Sequence, residues 1–424
     1  MSELEVVDPE IAAAVRNEMI RQALTIELVA ATNFASRAVL EVQSSVFAHK
    51  TLEGYLGRRY HGGHKYVDVI ENLAIERAKK LFGAEHANVQ PHSGVSANMA
   101  VFFAALQPGD RILAMDLASG GHLSHGQSAS FSGRFYRASF YGVDLDSELI
   151  DYDEVLAIAS REKPKMIICG ASAYPRIINF AKFREIADDV GAYLLADVAH
   201  YAGLIAGGAY PSPVPYADFV TFTTYKTMRG ARGGTILCRR EFARQIDRAV
   251  FPGVQGSMHA HLIAAKAVTF RMAMTEEFRV YAKQVVANAR ALAKALQERG
   301  YRIVSGGTDS HIVLVDLRPK KVTGKQAQEV LESVGIVTNM NRIPADPLGP
   351  NVASGIRLGS SAMTTRGFRE AEMEETADII DAVLSHPDDE GALERARHRV
   401  KELCLRFPLY LDHWEMSSIN HQLR

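Results

Sequence analysis

The sequence is poor in cysteine and carries almost no net charge. Its three cysteines, Cys169, Cys238 and Cys404, stand far apart in 424 residues, with neither the spacing of a metal site nor enough pairs for a disulfide framework. This scarcity points to a reducing compartment, so we expect a cytoplasmic protein without a bound metal. The 48 basic and 49 acidic residues give a net charge of -1, which provides no overall attraction to nucleic acid or to an anionic membrane.

Long hydrophobic runs are also missing. No apolar stretch approaches the roughly 20 residues that a membrane-spanning helix needs, and the first residues lack the basic region and apolar core of a signal peptide. No internal repeat or low-complexity tract is present. The chain is long enough for two domains with substantial cores.

The order of helical and strand-like patterns predicts three parts. Residues 1–40 contain Asp8 followed by Pro9, an N-cap and a first-turn proline, and predict a helical arm. Within 41–289, short apolar runs alternate with helical segments, which predicts a large α/β domain with a mostly parallel sheet flanked by helices. Residues 290–424 predict a smaller α+β domain, in which the role of the tail 409–424, with Trp414, does not follow from the sequence.

The segment 223–234 brings a lysine, two arginines, hydroxyls and glycines to the end of an apolar strand. Positive charge from Arg229 and Arg232, together with burial, would lower the pKa of Lys226 and leave a fraction of it as a neutral amine nucleophile. A lysine of this kind suits imine chemistry. Taken alone, the segment is equally compatible with a solvated basic loop.

A second strand-like run, 192–196, ends in a carboxylate, Asp197. Its unbroken apolar character is typical of a parallel strand that is buried on both faces. The spacing to Lys226 fits two residues at the carboxyl ends of neighbouring strands, where ligands bind in open α/β sheets. An acid opposite an amine nucleophile is the pairing that pyridoxal phosphate chemistry requires. A structural ion pair is the alternative interpretation of Asp197.

Three further segments offer binding groups. Ser93 and Gly94 precede a helix that we predict to begin near Ser96, and free N–H groups at a helix start bind phosphate. His122, in a glycine-rich loop after a strand, could stack on a planar ring. Arg357, on a strand edge, could clamp a carboxylate through two hydrogen bonds. An ordinary turn, a structural histidine and a surface salt bridge are the respective alternatives.

Taken together, these segments resemble the serine hydroxymethyltransferase family of fold-type I pyridoxal phosphate enzymes. The matching segments occur in the expected order over nearly the whole chain, which makes the set far more specific than any one of them. The resemblance implies a seven-stranded sheet with a smaller C-terminal domain. The matching segments are 53–55 with 59–60, 66–69, 89–94, 115–118 with 120–123, 170–174, 197–200, 226–234, 251–253 and 354–357.

The resemblance also implies a role for each candidate residue. In the cofactor site, Lys226 would bind the aldehyde, Asp197 would bind the pyridine nitrogen, and His122 would stack on the ring. Ser172 and His200 would contact the ring hydroxyl. The phosphate would be held by Ser93 and Gly94, together with Gly256 from the partner subunit. In the substrate and folate sites, Arg357 would bind the substrate carboxylate, Glu53 would act as acid and base with Tyr60 beside it, and Leu117, Gly121 and Leu123 would line the pterin site. Because the segments with Glu53 and Gly256 cross between subunits in the family, a homodimer or homotetramer with shared sites is implied.

Departures from the family pattern surround the cofactor and substrate. Small residues replace larger or polar ones at Ala31, where the family has serine, and at Thr51, where it has tyrosine. The implied function is pyridoxal phosphate-dependent hydroxymethyl transfer between a 3-hydroxy amino acid and tetrahydrofolate. The enlarged pocket suggests that α-methylserine, yielding D-alanine, is used in place of serine, which yields glycine. The other departures are Thr32, His61, Val95, Tyr225, Ser257, Met258 and Met340.

Two alternatives remain open at this stage. The changes at Tyr225, Met258 and Met340, some of which lie near the family's folate site, also suit a folate-independent threonine aldolase or transaldolase. A non-catalytic relative with a regulatory or RNA-binding role is disfavoured by the neutral net charge and the full set of candidate cofactor groups.

Overall fold

The computed structural model describes residues 2–409, so the tail segment 410–424 with Trp414 lies outside the described residues. The chain begins with two helices and a short strand. Asp8 caps the second helix, since its side chain accepts from the N–H of Ile11, and Pro9 occupies the first turn as predicted. The elements are α1 (Glu3–Val7), α2 (Pro9–Leu24), β1 (Ile26–Glu27) and α3 (Arg37–Gln43).

The large α/β part follows. Its elements are β2 (Gly54–Tyr55), β3 (Arg58–Arg59), α4 (Lys65–Phe82), β4 (His86–Asn88), α5 (Gly94–Ala105), β5 (Arg111–Met115), α6 (Phe131–Phe135), β6 (Arg137–Tyr141), α7 (Tyr152–Glu162), β7 (Met166–Cys169), α8 (Phe180–Val190), β8 (Tyr193–Asp197), α9 (Ala202–Ala206), β9 (Phe219–Thr223), β10 (Gly234–Cys238) and α10 (Ala243–Arg248).

Seven of these strands form one sheet in the order β4-β10-β9-β8-β7-β5-β6. The neighbours from β9 through β6 run parallel, whereas β10 runs antiparallel to both of its neighbours, β9 and β4. The predicted α/β fold with a mostly parallel sheet is therefore confirmed. Strands β7 and β8 are almost wholly buried, as their continuous apolar runs indicate.

The register of two adjacent strands places the site. Asp197, the last residue of β8, lies beside Thr221 of β9. Lys226 follows the end of β9 by three residues, so the acid and the amine leave the same edge of the sheet. This is the crevice at which open α/β sheets bind ligands.

The remaining elements form the C-terminal part. They are α11 (Ala260–Ala273), α12 (Glu276–Glu298), β11 (Arg302–Ile303), β12 (Ile312–Asp316), α13 (Gly324–Ser333), β13 (Ile336–Val337), β14 (Asn339–Asn341), β15 (Gly355–Gly359), α14 (Ser361–Arg366), α15 (Glu370–Ser385) and α16 (Glu390–Arg406). A four-stranded antiparallel sheet, β11-β12-β15-β14, carries Arg357 on β15.

The N-terminal segment joins this smaller part. Strand β1 pairs in parallel with β13, and Ile26, Leu28 and Phe34 share an apolar core with Leu292 and Leu358. Helix α12 links the two main cores, because its first half packs into the large core and its second half into the small one. The division at residues 40 and 290 stays a prediction.

One predicted boundary was wrong. Helix α5 begins at Gly94, not near Ser96, because Ser93 and Ser96 form a capping box. The Ser93 hydroxyl accepts from the N–H of Ser96 at 3.2 Å, and the Ser96 hydroxyl accepts from the N–H of Ser93 at 2.8 Å. Within residues 2–409, no helix combines the length and apolar character needed to cross a bilayer.

Candidate active site

A pocket lies at the carboxyl ends of β8 and β9 and at the start of α5. Its volume is about 90 Å³. It brings together seven residues that the sequence singled out from five separate segments. The lining consists of Ser93, Gly94, Val95, Asn98, His122, Ala171, Ser172, Asp197, Ala199, His200, Thr223, Tyr225 and Lys226.

Lys226 is buried in this pocket, with 7% of its surface exposed. Burial lowers its pKa to about 8, with Arg357 and Arg232 acting in the same direction and Asp197 opposing them. The direction confirms the prediction, although burial outweighs the arginines. The following residue, Thr227, donates to the carbonyl of His200 at 2.8 Å and so ties the lysine loop to the end of β8.

Asp197 is held as a carboxylate by donors that sequence reasoning missed. Its Oδ2 accepts from Asn98 Nδ2 and lies 2.8 Å from His125 Nε2, and its Oδ1 accepts from the N–H of Ala199 at 3.0 Å. Burial opposes ionisation, but the hydrogen bond and charge of His125 lead the interactions that hold the pKa of Asp197 well below its usual value. A buried anion is thus available to pair with a protonated ring nitrogen.

His122 presents a neutral imidazole to the same space. Burial, followed by the neighbouring His125, lowers the pKa of His122 to about 4. Its Nδ1 lies 2.8 Å from the hydroxyl of Ser124, which fixes the ring at the pocket wall. An uncharged, oriented ring is suited to stacking on an aromatic cofactor.

His122, His125 and Asp197 also lie close enough to hold a metal ion, with candidate ligand atoms within 4.8 Å of one another. However, Oδ2 of Asp197 already accepts from Asn98 and is close to His125, so an ion there would displace existing hydrogen bonds. These residues therefore fit a protonated ring nitrogen better than a metal ion.

Arg357 reaches the pocket from the smaller part of the chain. Its Nη1 donates to the carbonyl of Ser172 at 2.7 Å, and its Nε and Nη2 donate to Oδ1 of Asn339 at 3.2 and 3.1 Å. Burial lowers its pKa to about 10, so it stays charged at neutral pH. Among residues 2–409 no carboxylate pairs with it, which argues against the surface salt bridge and leaves its charge available to a ligand.

His200 stacks on a second histidine that the sequence did not identify, His311. The two rings lie 5.5 Å apart, with Nδ1 of His200 3.3 Å from Nε2 of His311. Burial, with the nearby charges of Lys226 and Arg357, holds the pKa of both well below the usual value. His311, which precedes β12, thus packs against His200, which follows β8 and lines the pocket.

The start of α5 lies at the pocket, where the sequence predicts a phosphate site. Ser93 is the N-cap, and a Cβ on Gly94 would lie 2.8 Å from Cγ2 of Thr223, so a larger residue here would crowd Thr223. The helix dipole and the amide groups at this end favour a negatively charged ligand. The role of Ser93 and Gly94 in binding phosphate stays a prediction.

Glu53, Tyr60 and Gly256 form a separate group that does not line this pocket. The segment with Gly256 packs on the Glu53 loop, since the N–H of Met258 donates to the carbonyl of Leu52 at 3.0 Å and Tyr60 packs edge-on to Phe251 at 5.4 Å. Tyr60 is 70% exposed. Within one chain these groups therefore do not join the pocket residues.

Leu117, Gly121 and Leu123 lie on the loop that follows β5. The carbonyl of Gly120 accepts from the N–H of Ser172 at 2.8 Å, so the loop is fastened to the pocket wall. Gly121 is packed against the carbonyl of Met115, where no side chain would fit. Leu123 is exposed, which leaves an apolar side chain beside the pocket for a further ligand.

Three of the departures from the family pattern, Ala31, Thr32 and Tyr225, meet at one place. A neighbouring cavity is lined by Ala31, Thr32, Tyr225 and Arg232, and Tyr225 also lines the main pocket. The guanidinium of Arg232 lies 4.0 Å from the centre of the Tyr225 ring, a cation–π contact that fixes this ring between the two spaces.

Comparison with known families agrees with this geometry. The serine hydroxymethyltransferase family model matches residues 4–380, which include every residue that lines the pocket and also Arg357. The match confirms the resemblance seen in the sequence and the fold-type I assignment. Pyridoxal phosphate is the cofactor of this family, and tetrahydrofolate is its co-substrate. The chain therefore belongs to the serine hydroxymethyltransferase family and is a pyridoxal phosphate-dependent hydroxymethyltransferase.

Proposed function

We propose that, in the hydroxymethyl transfer of its family, this enzyme uses α-methylserine in preference to serine and releases D-alanine in place of glycine. The main support is the space around Tyr225. There the small side chain of Ala31 and the hydroxyl of Thr32 stand where the family pattern has serine and glutamate, next to the pocket that holds Lys226. An extra methyl group on the α-carbon needs such space.

The pocket residues have distinct roles in this proposal. Lys226 would supply the amine for the cofactor aldehyde, Asp197 would pair with the protonated ring nitrogen, and His122 would cover one ring face. Ser172 and His200 would contact the ring hydroxyl, while Ser93 and Gly94 would hold the phosphate. Pyridoxal phosphate, when bound, supplies a ring that delocalises the electrons released as a bond to the α-carbon breaks.

Arg357 selects the bond that breaks. A carboxylate clamped by its guanidinium would be held in one rotation about the α-carbon, and this orientation would determine which bond to that carbon is aligned for cleavage. Asn339 keeps the guanidinium in place through two hydrogen bonds. The transferable carbon then leaves at the side where the loop with Leu117, Gly121 and Leu123 would receive the folate.

The acid and base group comes from a second subunit. Glu53 and Tyr60 do not reach the pocket of their own chain, and Tyr60 is largely exposed. In a homodimer or homotetramer these residues and Gly256 would complete the site of the neighbouring chain, with Glu53 near the substrate hydroxyl. We place this assembly in the cytoplasm, as the scarcity of cysteine suggests.

A substrate comparison tests the proposal. The purified enzyme is given serine, α-methylserine, threonine or phenylserine, each with and without tetrahydrofolate, and loss of the amino acid is followed. Rapid loss of α-methylserine that requires the folate is expected. Rapid turnover of serine with α-methylserine inert would contradict the substrate assignment. Loss of threonine or phenylserine without folate would favour the aldolase or transaldolase alternative. The departures at Met258 and Met340 are compatible with that alternative.

Restoring the larger family residues should reverse the preference. We expect Ala31→Ser combined with Thr32→Glu to lower kcat/KM for α-methylserine relative to serine by about tenfold or more, because one methyl group in a filled pocket is worth roughly 1–3 kcal/mol. The ratio of the two substrates is measured on the same preparation, so losses of folded protein cancel. An unchanged ratio would show that these two positions do not set the preference.

The pH dependence of cofactor capture follows from the state of Lys226. Because its pKa is lowered to about 8, the neutral amine that attacks the aldehyde predominates above that pH and falls about tenfold per unit below it. The rate of capture by cofactor-depleted protein, divided by that of butylamine to remove the titration of pyridoxal phosphate itself, should be constant below pH 8 and fall above it, because butylamine, with its higher pKa, continues to gain neutral amine. A ratio with no change of slope between pH 7 and 9 would contradict the lowered pKa.

A further inference from the structure

Residues 89–92 connect β4 to Ser93 outside the regular strand pairing, and the carbonyl of Pro91 accepts from the N–H of Gly234 at 3.0 Å. The side chain of Lys266 binds two carbonyls of this segment. Nζ of Lys266, on α11, donates to the carbonyls of Val89 at 2.7 Å and Pro91 at 3.0 Å. It also donates to the carbonyl of Gly234 at 2.8 Å, at the start of β10.

The side chain of Gln255 binds two further backbone groups of the same segment. Nε2 of Gln255 donates to the carbonyl of Gln90 at 2.7 Å, and its Oε1 accepts from the N–H of His92 at 3.2 Å. Lys266 and Gln255 together therefore bind a backbone group of each residue from Val89 to His92, and they fix the course of this segment up to Ser93.

The placement of Lys266 is energetically demanding. The side chain is only 2% exposed, and burial lowers its pKa to about 7. The hydrogen-bond acceptors found for Nζ within residues 2–409 are three backbone carbonyls, with no carboxylate among them. The nearest acid that affects it, Glu71, is engaged by Arg59. A buried ammonium is costly without acceptors, and its removal would take a donor from three carbonyls, of which that of Pro91 keeps the N–H of Gly234.

The same contacts join residues 89–93 to the loop that carries Lys226. The N–H of Gly234 donates to the carbonyl of Pro91 at 3.0 Å, and a Cβ on Gly234 would lie 2.2 Å from the carbonyl oxygen of Ser93. The end of the lysine loop and this segment therefore touch through their backbones. Nζ of Lys266 donates hydrogen bonds to both, at the carbonyls of Pro91 and Gly234.

We propose that Lys266 and Gln255 are positioning residues for the cofactor phosphate: they hold the backbone of 89–92 so that Ser93 and Gly94 are aimed at it. Neither side chain is required to touch the cofactor. This inference rests on the proposed role of Ser93 and Gly94 as the phosphate site.

The test compares pyridoxal phosphate with pyridoxal, which differs only by lacking the phosphate. Equilibrium dialysis of the full-length chain gives the affinity for each, for the wild type and for Lys266→Met and Gln255→Leu. Both variants should bind pyridoxal phosphate about tenfold to a hundredfold more weakly, as the loss of two or three hydrogen bonds to backbone groups implies, with pyridoxal affinity changed by less than about threefold. Lys320→Met, which removes a lysine paired with Asp381 away from the pocket, serves as the matched control and should bind like the wild type.

The outcomes separate the inference from the function on which it depends. Equal weakening of both ligands would show a general structural role and overturn the inference, as would unchanged affinity for pyridoxal phosphate in both variants. A wild type that binds the two ligands equally would overturn the phosphate role of Ser93 and Gly94 itself. If Lys266→Met does not fold, Gln255→Leu at its half-exposed position decides the question alone.

Discussion

Replacing Lys226 by alanine is expected to lower turnover by on the order of a thousandfold or more, as the loss of a covalent nucleophile does in other enzymes. The surroundings of this amine favour its neutral, nucleophilic form. It is buried, its pKa is lowered to about 8, and Asp197 and Arg357 both affect it electrostatically. Cofactor affinity should fall less than turnover, because Ser93, Gly94 and the ring contacts remain.

Two further measurements make this result specific to the missing amine. A small primary amine added to Lys226→Ala should restore part of the activity, since it can replace the lost nucleophile. The exposed Lys283, changed to alanine on α12, should leave turnover unchanged and controls for the assay. Retention of more than about a tenth of wild-type turnover by Lys226→Ala would contradict covalent catalysis at this position.

Replacing Asp197 by asparagine is expected to lower turnover by on the order of a thousandfold, comparable to the loss of a buried carboxylate that stabilises a ring cation in other enzymes. The substitution keeps the shape but removes the charge. It also places an amide against Asn98 and His125, whose nitrogen atoms now face Oδ2 of the carboxylate at 2.8 Å. KM should change far less than kcat, because Asp197 does not touch the substrate in this arrangement.

Asp218→Asn is the matched control for the loss of this charge. Asp218 is another buried aspartate of the same sheet, but it begins β9 at the opposite end and pairs with Arg184 and Arg239. Its replacement should reduce the free energy of unfolding and leave kcat of the folded enzyme nearly unchanged. Equal losses of kcat in the two variants would show that charge in the sheet, not pairing with the cofactor ring, is what matters.

The positions of Lys226 and Asp197 could be predicted because both follow from local pattern and topology. Each comes at the carboxyl end of an apolar run, and the parallel order of β8 and β9 brings such ends together. Ser93 and Gly94 were predictable for a similar reason, as small residues before a helix. The exact start of α5 was not, because the capping box depends on the rotamers of two serines.

The supporting residues could not be predicted in the same way. Asn98 and His125 are 99 and 72 residues from Asp197 along the chain, and neither stands out in charge or periodicity. His311 likewise meets His200 across 111 residues. Such contacts depend on how the two cores pack together, and the pattern within one segment carries no information about that packing.

The positions of Glu53, Tyr60 and Gly256 raise a different difficulty. The sequence resemblance links them to the cofactor pocket, yet in one chain they pack together in a separate group. Their proposed role depends on a neighbouring subunit, so neither the sequence pattern nor the fold of a single chain determines it. The oligomeric state measured in solution is the relevant observation for these three residues.

The most direct test is to find which lysine carries the cofactor. The enzyme is incubated with pyridoxal phosphate, reduced with borohydride and digested, and the peptide that bears the pyridoxyl group is identified. The label is expected on Lys226. Lys266 is the informative competitor, because it is also buried and has its pKa lowered to about 7. A label on Lys266, or on any residue other than Lys226, would contradict the assignment of the active site.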